Sequence, residues 1–86
     1  MWTALFDRFA RDLIRTGTLV VHLPDGTARQ YGDGSGAPVT IRLRDPGLVR
    51  RILVSPDLAV GEGYMDGTLT IDDDDLAGFI ALAVGN

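Results

Sequence analysis

The chain has 86 residues, enough for one small domain with one core, and a domain of that size hides only somewhat more than about 60% of its unfolded surface. An apolar content of 45% with 23% charged residues is that of a globular domain, well above what a disordered chain carries. The absence of cysteine excludes disulfides, zinc–thiolate sites and thiol nucleophiles, and the net charge of −4 argues against general nucleic-acid binding, which calls for a basic face.

The start, "MWTALFDRFARDL", spaces Trp2, Leu5, Phe6, Phe9 and Leu13 along one helical face, with Asp7, Arg8, Arg11, Asp12 and Arg15 filling the other. This predicts a helix over 3–15, with Arg15 at its negative end and Gly17 as its stop. Such a helix either packs in the core or lies on a membrane surface, and its acids weaken the second reading. It lacks the apolar centre of a signal peptide, and no apolar run in the chain approaches the ~20 residues of a membrane span. A cytoplasmic location is expected.

The period then changes to two. Leu19, Val21 and Leu23 point one way, Val20 and His22 the other, and "PDG" at 24–26 makes a turn. The second arm, "TARQY", is polar enough for a sheet edge. "GDGSGAP" reads as a flexible loop, and "VTIRLR" as a strand with Val39, Ile41 and Leu43 inward. Asp45 and Pro46 then form a helix start, as N-cap and first helical residue, ahead of the stripe Leu48, Val49, Ile52, Leu53. Ser55 and Pro56 repeat that chemistry for a short helix carrying Tyr64 and Met65, which Asp66-Gly67 ends. "TLTI" predicts a strand with Leu69 and Ile71 on one face. A last helix is expected to carry Leu76, Phe79, Ile80 and Ala83 and to stop at Gly85-Asn86 with no tail. The order α-β-β-β-α-α-β-α predicts an α+β domain spanning 1–86, with a small, mainly antiparallel sheet and helices packed on one face.

No catalytic set can be assembled. Asp72–Asp75 lack the alternate spacing, central glycine and terminal bidentate acid of a calcium loop, and suit the positive end of a helix instead. "GDGSG" misses the spacing and the lysine of a phosphate loop. His22, the single histidine, lies mid-strand without a triad partner and is expected to face solvent. Glu62 and Asp66, four residues apart, share a helix face where like charges repel slightly. Three readings are open for them: an acid/base pair, a turn acid beside a solvated or arginine-paired acid, or groups that face a partner.

The segment "PDLAVGEGYMDGTLTIDDDDLAGFIAL" resembles the N-terminal region of the cyclopropane-fatty-acyl-phospholipid synthase (mycolic acid cyclopropane synthase-like) family, in which a "GE-x-YMDG" block precedes a short strand and an acid-led helix. Here the block is Gly61, Glu62, Tyr64, Met65, Asp66 and Gly67, and the upstream "GTLVVHLPDG" hairpin and "VTIRLRDPGLVRRIL" extend the likeness over nearly the whole chain. The resemblance implies the small, non-catalytic accessory domain, with a sterol-carrier-like fold, that helps a methyltransferase domain engage lipid. The catalytic half, with its S-adenosylmethionine loop, is expected beyond these residues, so no catalytic, cofactor-binding or metal residue carries over. The implied partners are that catalytic domain and a phospholipid or membrane surface, with peripheral membrane association. Glu62, Tyr64, Met65 and Asp66 are then expected to form a contact surface. The alternative is a free-standing lipid carrier. The block Leu58–Leu82 is also similar to the tail of a sterol carrier domain, with Asp72-Asp73 standing where that pattern has glycine.

Overall fold

Alternation in the strands decides the architecture. A computed structural model describes residues 2–86. Its elements are α1 (Trp2–Leu13), β1 (Thr18–His22), β2 (Ala28–Gly32), β3 (Val39–Leu43), α2 (Pro46–Val54), α3 (Pro56–Asp66), β4 (Leu69–Ile71), a 3-10 turn (Asp72–Asp74) and α4 (Leu76–Val84). The strands form one sheet in the order β2-β1-β3-β4. Leu19, Val21, Ile41, Leu43, Leu69 and Ile71 turn to the same side and are buried there beneath the helices. The fold is α+β, as expected. The sheet is mixed: β1–β2 and β3–β4 are antiparallel, in keeping with a mainly antiparallel sheet, while the central pair β1–β3 is parallel, with Leu19 opposite Val39 and Val21 opposite Ile41.

The parallel pair exists because β2 folds back on one edge of β1 and the loop over 33–38 carries the chain to the other. That loop is not loose. Asp33 Oδ1 accepts hydrogen bonds from the Ser35 N–H (2.9 Å), the Ser35 hydroxyl (2.6 Å) and the Gly17 N–H (3.0 Å), and the Thr18 hydroxyl donates to the Ser35 carbonyl at 2.9 Å.

On α1 the buried line is Phe6, Ala10 and Ile14, one turn-step round from the stripe read in the sequence. Trp2, Leu5 and Leu13 are about half exposed, because the small Ala10 brings the helix close and the larger residues flank the contact. Phe6 meets Tyr31 edge-on at 6.4 Å between ring centroids. Tyr31 is the one buried residue of the polar β2 strand, and its hydroxyl donates to Asp7 Oδ1 at 3.0 Å. Burial first, and that bond second, push the Tyr31 hydroxyl far above its ordinary pKa.

Asp45 caps α2 by accepting from the Gly47 N–H at 3.0 Å, as its sequence position predicts. Ser55 does not repeat this. Its side chain makes no cap bond to α3, and its N–H instead closes α2 on the Arg51 carbonyl at 2.8 Å. Gly67, in the left-handed region at φ 84°, ends α3. Helix α4 lies over β3 with Leu76, Phe79 and Leu82 half-buried, while Ile80 and Ala83, expected inward, are exposed. Asn86 ties its end down: Oδ1 accepts from the Arg15 and Thr16 N–H groups, and Nδ2 donates to the Thr16 and Leu82 carbonyls.

Candidate functional site

Three short segments share one sequence and one geometry. In Asp25-Gly26-Thr27, Asp33-Gly34-Ser35 and Asp66-Gly67-Thr68, the aspartate Oδ1 accepts both the N–H (2.9 Å) and the hydroxyl (2.6 Å) of the residue two positions on, around a glycine with positive φ. Asp-Gly-Ser/Thr is therefore this chain's recurring turn device. Asp66 belongs to it, so of the readings open for the Glu62/Asp66 pair the geometry places Asp66 in a turn. The Thr68 hydroxyl, then its N–H, hold the Asp66 carboxyl below the usual range.

Tyr64 is half-buried against the core, and its hydroxyl donates to Asp74 Oδ1 at 3.1 Å, which ties α3 to the 3-10 turn and raises the Tyr64 pKa. Gly63, between Glu62 and Tyr64, is buried, and an added Cβ would lie 3.1 and 3.2 Å from the Leu48 methyls. The inner face of α3 is thus pressed onto α2 and β4. Its outer face shows Leu58, Glu62 and Met65, aligned by their helical spacing, with Met65 86% exposed. Glu62, Leu58 and Val54 border a shallow groove of about 270 Å³ between α2 and α3, with Arg50 and Arg51 on its far wall. The structure therefore separates the four predicted residues. Glu62 and Met65 are displayed; Tyr64 and Asp66 are engaged within the fold.

The four aspartates divide as well. Asp72 accepts both arms of the Arg42 guanidinium at 2.8 and 3.0 Å, Asp74 takes Tyr64, and Asp75 alone caps α4, accepting from the Gly78 N–H at 3.0 Å. One acid of the run caps the helix, as expected, and that acid is Asp75; Asp73 and Asp74 have positive φ in the turn just before it. His22 is half-buried on the sheet face that no helix covers, near Arg42 and Arg44. No group of three or more His, Cys, Asp or Glu residues among the described residues is arranged to hold a metal ion.

Carboxylates with built-in partners give a pH prediction. Asp7 is lowered chiefly by Arg11, Asp72 by Arg42, Asp25 by Thr27, Asp33 by Ser35 and Asp66 by Thr68. Each binds protons less readily folded than unfolded, so their contribution is complete above the unfolded pKa of about 3.9 and is lost as pH falls through the folded values. The melting midpoint is expected to be level from about pH 7 to pH 5 and to fall below about pH 4. The drop is modest because these groups face solvent. A midpoint that rises on acidification contradicts this.

A second crevice opens between α3 and α4. It is about 360 Å³ and is walled by Leu13, Val60, Tyr64, Phe79 and Ile80, with Asp57 at its edge. Part of that wall, Leu13, Val60 and Phe79, also lines an apolar cleft of about 90 Å³ that reaches toward Val21 and Ile52 in the core. All eight arginines of the chain precede Ile52, whereas every charged side chain after it is acidic: Asp57, Glu62, Asp66 and Asp72–Asp75. The arginine-bearing groove and the acidic crevice are therefore two different surfaces.

Sheet, helices and the two apolar surfaces together define a small α+β domain with a mixed four-stranded sheet. The chain belongs to a domain family of unknown function, DUF7884, whose family model matches residues 6–86. No curated protein and no solved structure matches it. Among the described residues, no helix is long and apolar enough to cross a membrane.

Proposed function

We propose that this chain is a non-catalytic accessory domain of a cyclopropane-fatty-acyl-phospholipid synthase-like methyltransferase. In this reading it docks on the catalytic domain, which binds S-adenosylmethionine, and helps that domain engage phospholipid peripherally at the cytoplasmic membrane surface. The fold is read as sterol-carrier-like. The observation that carries the proposal is the outer face of α3, where the Gly61–Gly67 block that resembles the family projects Met65 and Glu62 beside the exposed Leu58. Large exposed apolar side chains with an acid beside them have the composition of a contact patch. Tyr64 and Asp66 support it from behind, by fixing the C-terminal end of α3. The cleft that reaches the core holds about 90 Å³, below the roughly 300 Å³ at which ligand pockets begin, and the crevice of about 360 Å³ beside it lies open at the surface rather than enclosing a ligand, which favours docking over the lipid-carrier alternative.

Titration of a cyclopropane-synthase-like catalytic domain with this chain tests the reading. Met65→Ala and Glu62→Gln are expected to leave the melting midpoint nearly unchanged and to weaken association, together by about tenfold. Asp66→Ala is expected to lower the midpoint instead. Saturable binding of a fluorescent fatty acid, without any association between the two domains, transfers the case to the carrier.

A further inference from the structure

The crevice between α3 and α4 calls for an explanation that the α3 outer face does not supply. Helix α4, "LAGFIALAV", carries no charged side chain, and none of its residues is fully buried. A helix apolar on all sides is ordinarily enclosed. Here Ile80 and, across the crevice, Leu13 are each 51% exposed, and Val84 is 81% exposed. The apolar strip thus runs along the crevice and past the end of α4.

Of the residues that line the crevice, Asp57 is the one that carries a charge, and the acids nearest its wall add to that side. Asp57 lies at the edge, Asp74 is joined to the wall through Tyr64, and Asp73 and Asp74 are exposed on the turn that leads into α4. On α1, beyond Leu13, Arg11 is paired with Asp7, while the exposed Arg15, whose Nε donates to the Asp12 carbonyl at 3.0 Å, keeps its positive charge beside the end of α4, so the acidic side is the one formed by α3 and the turn before α4. An anionic lipid surface would meet this acidic side with repulsion, and so would the same face of a second copy. A segment with apolar residues along one side and lysine or arginine beside them satisfies both features.

We infer that the α3–α4 crevice is a docking groove for a basic amphipathic helix supplied by a partner protein. Apolar side chains of that helix fill the space between Leu13, Val60, Phe79 and Ile80, and its cations face Asp57 and Asp74. The inference rests on the docking role proposed above and names a second surface and the chemistry of what it takes.

The test uses an amphipathic peptide of about 18 residues built from leucine, alanine and lysine, and a counterpart with glutamate for each lysine. The lysine peptide is expected to bind saturably, at least about tenfold tighter than the glutamate one, and to weaken as salt rises from ~50 to ~300 mM. Ile80→Arg and Asp57→Arg are each expected to weaken it by about tenfold. Ile80→Ala reads the same surface should Ile80→Arg lower the melting midpoint. Equal binding of the two peptides overturns the inference. So does binding to anionic phosphatidylglycerol vesicles in preference to the lysine peptide, or concentration-dependent self-association that Ile80→Arg abolishes. If the two peptides bind equally while Met65→Ala and Glu62→Gln still weaken catalytic-domain binding, the groove fails while the accessory role stands. Lysine-peptide binding without any catalytic-domain binding has the opposite meaning.

Discussion

Gly32→Ala is expected to leave the chain largely unfolded at room temperature. Two separate penalties combine at this position. Gly32 has φ 100°, where a side chain is strained, and a Cβ there would lie 2.1 Å from the Gly17 carbonyl oxygen, which is backbone and has no rotamer to escape into. Each penalty is about 1–3 kcal/mol, against a total stability of about 5 kcal/mol for a domain this small. The damage is structural as well as energetic. Gly32 pairs with Thr18 at the end of the β1–β2 ladder, directly beside Tyr31, which holds the edge strand to Phe6 and Asp7. Gly26→Ala is the matched control, since Gly26 has φ 90° but an added Cβ there would meet nothing within 4 Å. It should lower the melting midpoint by the strain alone, about 4–8 °C for each kcal/mol. Equal midpoints for the two variants mean that the β1–β2 end can open without cost.

Which parts of this fold are legible in the sequence follows from how local their causes are. The start of α2 is fully readable, because Asp45 and Pro46 act on groups two residues away. The inward faces of β1, β3 and β4 are readable too, since the period of two records which side is buried. The parallel pairing of β1 with β3 is not: alternation is the same in either direction, and the crossover depends on Asp33 and Ser35 clamping Gly17 from sixteen to eighteen residues away. The buried face of α1 is misread because Trp2, Leu5 and Leu13 outweigh Ala10 in hydrophobicity, yet a small residue marks the closest approach. At the candidate surface, Asp66 is open to a local reading, since Asp-Gly-Ser/Thr occurs three times with one hydrogen-bond pattern. The crevice is not, because it arises between α3 and α4, which only tertiary packing brings side by side.

The α2–α3 contact gives the other large effect. Leu48 is 1% exposed, among the most completely buried side chains of the core, and Leu48→Ala is expected to cost about 2–5 kcal/mol, enough to unfold most of the population at physiological temperature. How the cavity is felt depends on Gly63, which faces it: a Cβ on Gly63 would meet the Leu48 methyls at 3.1 and 3.2 Å and the Leu69 Cβ at 3.2 Å. In the parent chain, Gly63→Ala gains up to about 1 kcal/mol of helix propensity and loses it to this crowding. With Leu48 already shortened, the crowding from its methyls is gone and the propensity gain remains. The double variant should therefore be more stable than Leu48→Ala alone, with a coupling of about 0.5–1 kcal/mol measured by denaturant unfolding. The Leu69 contact is common to both backgrounds, so the cycle isolates the Leu48 part. Strict additivity would mean that α3 is not pressed onto α2 at Gly63, and that Glu62 and Met65, its neighbours on the outer face, are not held rigidly enough to present a contact surface.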